Sequence, residues 1–433
     1  MTLRHGGDPR IIHWNRRKFI GVCGLASLFP VARSSGANAN ANPFASFDAE
    51  IENFMRARQV PGGALAVVKD RRLVYARGYG WADREQKLPP RADTLFRIAS
   101  VSKPVTAVAV LKWVEQGRLN LDARVFELVT PPPILAPGAA PDDRLQRITV
   151  RHLLHHTGGW DREKSFDPMF RARQIAEAAR VPGPAGPDEI IRFMLGQPLD
   201  FDPGTRQAYS NFGYCVLGRV IEKISGWPYE QFVRKQILEP AGIKQMRLGH
   251  SLERQRAKNE THYYSAENGS ADNVFPGEPE KTPWPYGGFH LEAMDAHGGW
   301  LASAVDLARF AAALDNPSHC PWLRPETIRT MYAPPAPPVA RNAAGSLENN
   351  WYASGWNVRP VKGEGKANYW HSGSLPGTAT LLVRRWDGLG WAVLFNQRSE
   401  NSDRPDSAID AALHRAADAV THWPRQDLFG HFR

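Results

Sequence analysis

Apolar positions along this chain recur with two different periods, and the period depends on where in the chain they fall. Phe47, Ile51, Phe54 and Met55 sit at helical spacing between Phe44 and about Gln59, which predicts an amphipathic helix ended by Pro61-Gly62-Gly63. Ala64 to Val68 and Leu73 to Tyr79 are short apolar runs that predict two strands joined around Asp70-Arg71. Near the other end, Tyr369 to Gly373, Ala379 to Val383 and Trp391 to Phe395 predict three more strands, with Asp387-Gly388 as the turn between the last two. A helix from about Ser407 to Val420 closes the pattern. Strands at both ends and helices between them predict an α+β fold: an antiparallel β-sheet built from both chain ends and flanked by helices, with a mostly helical inserted domain. The expected division is 42–135 with 295–425 for the discontinuous α/β domain and 136–294 for the helical and irregular one. Pro131 through Asp143 and Glu260 to about Phe289 read as long loops. No internal repeat is visible.

The run Phe96-Arg97-Ile98-Ala99 leads into a helical pattern from about Val101 to Gln116. In it Val105, Val108, Ala109, Val110, Leu111, Trp113 and Val114 leave almost no polar face, so this helix is expected in the interior. Pro104 suits its first turn and Gly117 its end. Ser100-Val101-Ser102-Lys103 stands at its start. A serine and a lysine three positions apart share one helix face. The four residues alone also fit a capping serine beside a surface lysine. A lysine in the first turn of a buried helix is not an ordinary surface lysine, and the pair reads as a covalent-catalysis site with Ser100 as nucleophile.

Two further groups carry chemistry. Tyr209-Ser210-Asn211 follows the turn Asp202-Pro203-Gly204 and precedes a helix with Val216, Leu217, Val220, Ile221 and Ile224 on one stripe. In an extended segment Tyr209 and Asn211 would face one site together. A tyrosine near a lysine can shuttle a proton if the cation favours phenolate, and Asn211 can hold a substrate carbonyl or the lysine amine. A capping Asn211 with a core Tyr209 is the structural alternative. His371-Ser372-Gly373 ends the Tyr369-Trp370 strand; His371 and Gly373 share a face, and glycine there lets a substrate backbone lie close.

A Ser-x-x-Lys, then Tyr-Ser-Asn, then His-Ser-Gly, in this order, resembles the serine β-lactamase and DD-peptidase superfamily, and within it the class C β-lactamase-related branch. Asp93 to Ser100, Leu153-Leu154-His155-His156-Thr157-Gly158-Gly159, Gly298 to Ser303 with Asp306 to Phe310, and Pro376-Gly377 agree, so the resemblance runs from about Ala45 to Asn396. It implies a serine hydrolase in which Ser100 is acylated, Lys103 and Tyr209 share the base role, and Asn211 orients the substrate. The oxyanion hole it implies uses the backbone N–H groups of Ser100 and Ser374, with Ser372 and Gly373 lining the substrate strand. Either Lys103 or Tyr209 can take the proton. His371 stands where class C β-lactamases carry lysine; it is mostly neutral at pH 7, which favours esters, amides and D-alanyl peptides over β-lactams. Gly158 stands where the family usually has serine. A non-catalytic penicillin-binding-like or assembly protein that keeps the fold is the alternative, and the intact motifs speak against it.

Charge and composition narrow this reading. The formal net charge of the 433 residues is +10. Residues 1–39 hold six Lys/Arg and one Asp (6 − 1 = +5), leaving 10 − 5 = +5 for the rest, with no basic run there to read as nucleic-acid binding. Asn15-Arg16-Arg17-Lys18-Phe19-Ile20, an apolar stretch to Val31, and small-x-small sites at Ala37-Asn38-Ala39 and Ala39-Asn40-Ala41 resemble a twin-arginine signal over 1–41, so a periplasmic or secreted location is expected. Cys23 lies inside that leader. Cys215 falls in an apolar helical pattern and reads as a core thiol; a bond to Cys320 stays open. His152, His155 and His156 have no carboxylate at matching spacing and read as structural, so no metal and no cofactor are expected, and a zinc hydrolase is the weaker rival. The expected partner is a small-molecule or peptide substrate, with oligomeric state open. Some of the 14 tryptophans, among them Trp160 and Trp284, are candidates for an apolar acyl pocket.

Overall fold

The computed structural model describes residues 42–265, 269–400, 403 and 406–432. The leader expected over residues 1–41 lies outside them. Helix α1 (Ala45–Arg58) and strands β1 (Gly62–Lys69) and β2 (Arg72–Gly80) follow one another as the periodicity predicts. Asp70 and Arg71 both take positive φ, 50° and 66°, which matches the right-handed twist of a two-residue hairpin. Trp351–Tyr352 (β3), Asn357–Pro360 (β4), Ala367–Leu375 (β5), Thr378–Arg384 (β6) and Leu389–Phe395 (β7) complete a seven-stranded sheet ordered β2-β1-β7-β6-β5-β4-β3. Every pair in it is antiparallel. The two chain ends meet inside it, where β1 pairs with β7 and Gly63 lies opposite Phe395 and Lys69 opposite Leu389.

Both faces of the sheet are covered, which is why β1, β6 and β7 are buried almost throughout. Leu65, Val67, Leu381, Val383, Trp391 and Val393 pack on one face with Phe47, Ile51 and Phe54 of α1 and with Ile409 and Leu413 of the last long helix. Alternate residues Ala64, Ala66, Val68, Leu382, Ala392 and Leu394 face the other way, into the larger core. That core contains α2 (Ser102–Glu115), α3 (Asn211–Ser225) and α4 (Ala304–Leu314); the last long helix, α5, spans Ala408–Asp418. This is the α+β arrangement expected, with helices on both sides of an antiparallel sheet.

A second, small sheet sets the start of α2. Phe96–Arg97 pairs with Trp300–Ala302, which also pairs with Arg247–Leu248. The segment read as one long loop after Glu260 contains a two-stranded ribbon, Ser270–Asp272 against Lys281–Pro283. Its strands are polar and exposed, so no apolar alternation marks them in the sequence. Cys215 and Cys320 are free thiols, Cys215 buried in α3. Among the described residues no helix is long and apolar enough to cross a membrane.

Candidate active site

The turn before α2 presents Ser100, and four contacts hold it. The Ile98 N–H donates to the Trp300 carbonyl at 2.9 Å, and the Ile98 carbonyl accepts from Thr380 Oγ1 at 2.9 Å. The Arg97 carbonyl accepts from Thr378 Oγ1 at 2.9 Å, and the Ala99 carbonyl from Ser102 Oγ at 2.7 Å. Ala99 sits at φ 47°, a left-handed conformation that a non-glycine residue adopts only when its surroundings impose it. Gly373 of β5 faces this turn; a Cβ there would overlap the Ile98 carbonyl oxygen and the Thr380 hydroxyl. The glycine therefore serves the approach of strand to turn. Arg97 is itself locked in the core, donating to the Pro285 carbonyl at 2.6 Å and the His250 carbonyl at 2.7 Å.

Lys103 is fully buried one turn after the partly exposed Ser100. Its Nζ lies 3.1 Å from Ser100 Oγ, 2.8 Å from Asn211 Oδ1 and 3.1 Å from the His297 carbonyl. Burial pushes this amine well below the ordinary lysine value; Asp167 opposes the shift and Arg162 adds to it. A neutral amine has two N–H donors and one lone pair. With Asn211 Oδ1 and the His297 carbonyl accepting the donors, the lone pair is left for the Ser100 hydroxyl.

Ser210, not Asn211, caps α3: its Oγ accepts from the Gly213 N–H at 3.2 Å, and Asn211 is the first residue of the helix. Asn211 Nδ2 donates to Asp167 Oδ2 at 2.6 Å, which turns its oxygen toward Lys103. Tyr209 is half-buried beside them, with Lys103 Nζ 4.7 Å from its ring centroid and a hydrogen bond between its hydroxyl and Ser100. Burial pushes its phenol up, away from phenolate. A shuttle that depends on a cationic lysine favouring phenolate thus finds the opposite conditions here, a depressed amine and a raised phenol.

His371 lies beneath this group rather than at its surface. It is 2% exposed, its Nε2 is 3.0 Å from Tyr352 Oη and its Nδ1 2.6 Å from the Ser372 carbonyl. Burial first, then the Lys103 charge, push its pKa down to about 3, so the ring is neutral. Ser372 and Ser374 project to the exposed face of β5, and His371 and Gly373 to the buried one, as strand alternation requires. β5 pairs with β4 only through residues 367–370, so its edge from 371 to 375 has no strand partner. The Leu375–Thr378 pair closes a hairpin around Pro376-Gly377. Counting the antiparallel ladder back from that pair points the Ser374 N–H away from β6, out along the free edge.

Several groups at the site carry no sequence signal of their own. Asp167, the His297 carbonyl and Arg162 come from loops. His156, read as structural with His152 and His155, has its ring 4.4 Å from that of Tyr209 and 4.3 Å from that of Tyr352, and its Nδ1 accepts from the Ser210 N–H at 3.2 Å. Its neighbours stay away from Ser100: His152 Nδ1 accepts from the Thr149 N–H in a capping box, and His155 is buried. Among the described residues no cluster of three His, Cys, Asp or Glu side chains could hold a metal ion.

Comparison with known proteins places this arrangement. The beta-lactamase family profile matches residues 47–416. The chain is 26% identical to Penicillin-binding protein 4* of Bacillus subtilis (strain 168) over 356 residues, which cover 81% of this chain and 71% of that one. It is 36% identical to esterase EstB of Burkholderia gladioli over 223 residues, 51% of this chain and about half, 54%, of the esterase. The structure of the octameric penicillin-binding protein homologue from Pyrococcus abyssi matches with a TM-score of 0.66 at 27% identity, over 89% of this chain and 79% of that one.

Proposed function

The chain belongs to the beta-lactamase family, and from that membership and the site geometry we propose that it is a serine acyl-hydrolase acting through an acyl-enzyme on Ser100. The observation that carries the proposal is the buried amine. Lys103 Nζ stands 3.1 Å from Ser100 Oγ, with both of its other polar neighbours, Asn211 Oδ1 and the His297 carbonyl, acting as acceptors. That set suits a neutral amine that takes the serine proton, and makes Lys103 the base. Ser100 Oγ attacks the substrate carbonyl carbon as its proton moves to Nζ. The Ser100 and Ser374 N–H groups hold the oxyanion; one such donor contributes about 10²–10³ in rate. The proton returns to the leaving alcohol or amine through Tyr209, whose raised pKa keeps it a phenol. Water then attacks the acyl carbon, giving its proton to Lys103, and the bond from the acyl carbon to Ser100 Oγ breaks as Lys103 returns that proton to Oγ, releasing the acid and restoring the hydroxyl and the neutral amine.

The buried, neutral His371 gives the third motif no cation for a substrate carboxylate. This favours esters and small amides over β-lactams, and the similarity to a protein named an esterase supports the same side. The twin-arginine-like leader supports export, tested by whether it carries a folded reporter out of the cytoplasm. The central experiment is labelling by a fluorescent fluorophosphonate together with p-nitrophenyl acetate hydrolysis. Both are expected in the wild type and absent in Ser100→Ala; hydrolysis that survives Ser100→Ala rejects the mechanism.

A further inference from the structure

The loop between Thr157 and Asp167 carries an arginine that no motif contains. Its backbone is fixed on both sides of that residue. The Asp161 N–H donates to Asp200 Oδ2 at 2.8 Å, the Glu163 N–H to Asp161 Oδ1 at 3.0 Å, and the Ser165 N–H to the Asp161 carbonyl at 2.9 Å. Arg206 pairs with Asp161 at 2.8 Å. On this frame the Arg162 guanidinium lies over the Tyr209 ring, 5.0 Å from its centroid. The Tyr209 hydroxyl in turn bonds Ser100, so the guanidinium stands one ring away from the nucleophile.

This cation is available. Its ion pair is Nε to Glu163 Oε1 at 3.2 Å, with the Arg162 side chain 41% and that of Glu163 83% exposed. An exposed pair between sequence neighbours contributes little and exchanges readily for another anion. Among the described residues no other acceptor holds the guanidinium. The ring under it supplies cation–π support that orients the planar fork. His371, which stands where class C β-lactamases carry lysine, is buried with both ring nitrogens engaged.

We propose that Arg162 binds a carboxylate of the substrate, so that the preferred substrate is an ester or amide carrying a carboxylate on the Tyr209 side of the cleft. The proposal rests on the acyl-enzyme reading above. A guanidinium takes a carboxylate through two parallel N–H···O bonds, which fixes orientation as well as adding attraction. Binding also reaches the base. The Arg162 charge helps keep Lys103 unprotonated, and an anion seated on Arg162 offsets that charge, so the amine becomes a stronger base when such a substrate is in place.

The test uses two matched ester pairs: mono-p-nitrophenyl glutarate against p-nitrophenyl pentanoate, and 4-acetoxybenzoate against phenyl acetate. The first puts the carboxylate on the acyl group and the second on the leaving group. The wild-type enzyme is expected to favour the acid of at least one pair by about tenfold or more in kcat/KM, as a charged hydrogen bond warrants. Arg162→Gln should bring that ratio near one, Arg162→Lys should keep part of it, and Arg162→Glu should reverse it toward a matched ester bearing an ammonium. The Lys and Glu variants keep the test valid if the Gln variant is poorly folded. Ser100-dependent hydrolysis with the same acid-to-neutral ratio in wild type and Arg162→Gln overturns this inference and leaves the mechanism standing. Hydrolysis of none of the esters, or hydrolysis independent of Ser100, overturns both.

Discussion

Asp167 decides which end of the Asn211 amide faces the lysine. Its Oδ2 accepts from Asn211 Nδ2 at 2.6 Å, and its Oδ1 accepts from the Met169 N–H at 3.1 Å, so the carboxylate is itself anchored at the start of a helical turn. With Nδ2 committed to Asp167, Asn211 Oδ1 is the atom that meets Lys103 Nζ at 2.8 Å. A flipped amide would set Asn211 Oδ1 against the Asp167 carboxylate, acceptor against acceptor.

Asp167 therefore acts on the amine twice, by geometry through Asn211 and by charge. Its negative charge raises the Lys103 pKa against the downward pull of burial. Asp167→Asn keeps an acceptor for Asn211 and removes the charge, so the acid limb of the kcat/KM–pH profile should move to lower pH with a modest loss of rate. Asp167→Ala removes both, and its rate should fall by a further factor of about ten. A limb that moves to higher pH in Asp167→Asn would contradict the electrostatic assignment.

Lys103 must be unprotonated to accept a proton, so activity should rise as pH rises through its depressed pKa and then level off well below 10.5. Lys103→Arg keeps the length and positive charge but cannot lose its proton at these pH values. The expected result is a drop of about 10²–10⁴ in kcat with Ser100 labelling strongly slowed. Near-normal turnover in Lys103→Arg would leave Tyr209 as the base instead.

Much of the frame is legible in the sequence, because its signals are local. Leu65, Val67 and Trp391 lie in short apolar runs between turn residues, and each forms the strand its neighbourhood predicts. The helix after Ser100 is apolar all round and is buried. Ser100, Lys103, Tyr209 and Asn211 stand in short patterns, and the structure brings all four into contact. Asp167, His297 and Arg162 were not legible. His297 contributes a backbone carbonyl, which any residue type supplies, and Asp167 and Arg162 lie in a polar loop where such side chains are ordinary. Their roles come from partners such as Asn211 and Tyr209 more than 40 residues away. The placement of His156 against the Tyr209 ring was not legible either: its neighbour His155 is a plain core histidine, and nothing in the dipeptide tells the two apart.

Gly373 tests the link between strand and nucleophile. A Cβ there would overlap the Ile98 carbonyl and the Thr380 hydroxyl, which are already bonded to each other, and would press on the Ala99 Cβ at 3.1 Å. The turn holding Ser100 cannot retreat, because Ile98 N–H is tied to Trp300 on its far side. Gly373→Ala should destabilise the fold by about 1–3 kcal/mol, the range for overpacking a filled core, and lower kcat by more than the lost folded fraction explains. Gly430→Ala, at an exposed position without a positive φ whose added Cβ meets nothing within 4 Å, is the control for stability. Equal kcat in Gly373→Ala and wild type would show that the turn tolerates displacement.

The buried histidines set the direction of acid stability. Burial pushes His155 down to about 4 and His371 to about 3, and pushes His156 and His297 well below the ordinary value. Above pH 6.5 these rings are neutral in both folded and unfolded chains and contribute no slope. Between 6.5 and the folded values the unfolded chain binds protons that the folded one refuses, so stability falls as pH falls. Each such ring contributes about 1.4 kcal/mol per pH unit in that window, and the contributions of His155 and His371 level off near 4 and 3. Urea midpoints should therefore drop steadily from pH 7 to pH 4.5. Among the described residues no hydrogen bond or ring contact ties the His155 side chain to Ser100, Lys103 or Tyr209, so His155→Gln should make the decline shallower without altering the pH profile of kcat/KM. A midpoint that stays flat across this range would mean that the folded rings take up protons as readily as the unfolded ones, and would contradict the assignment of these depressed values to burial.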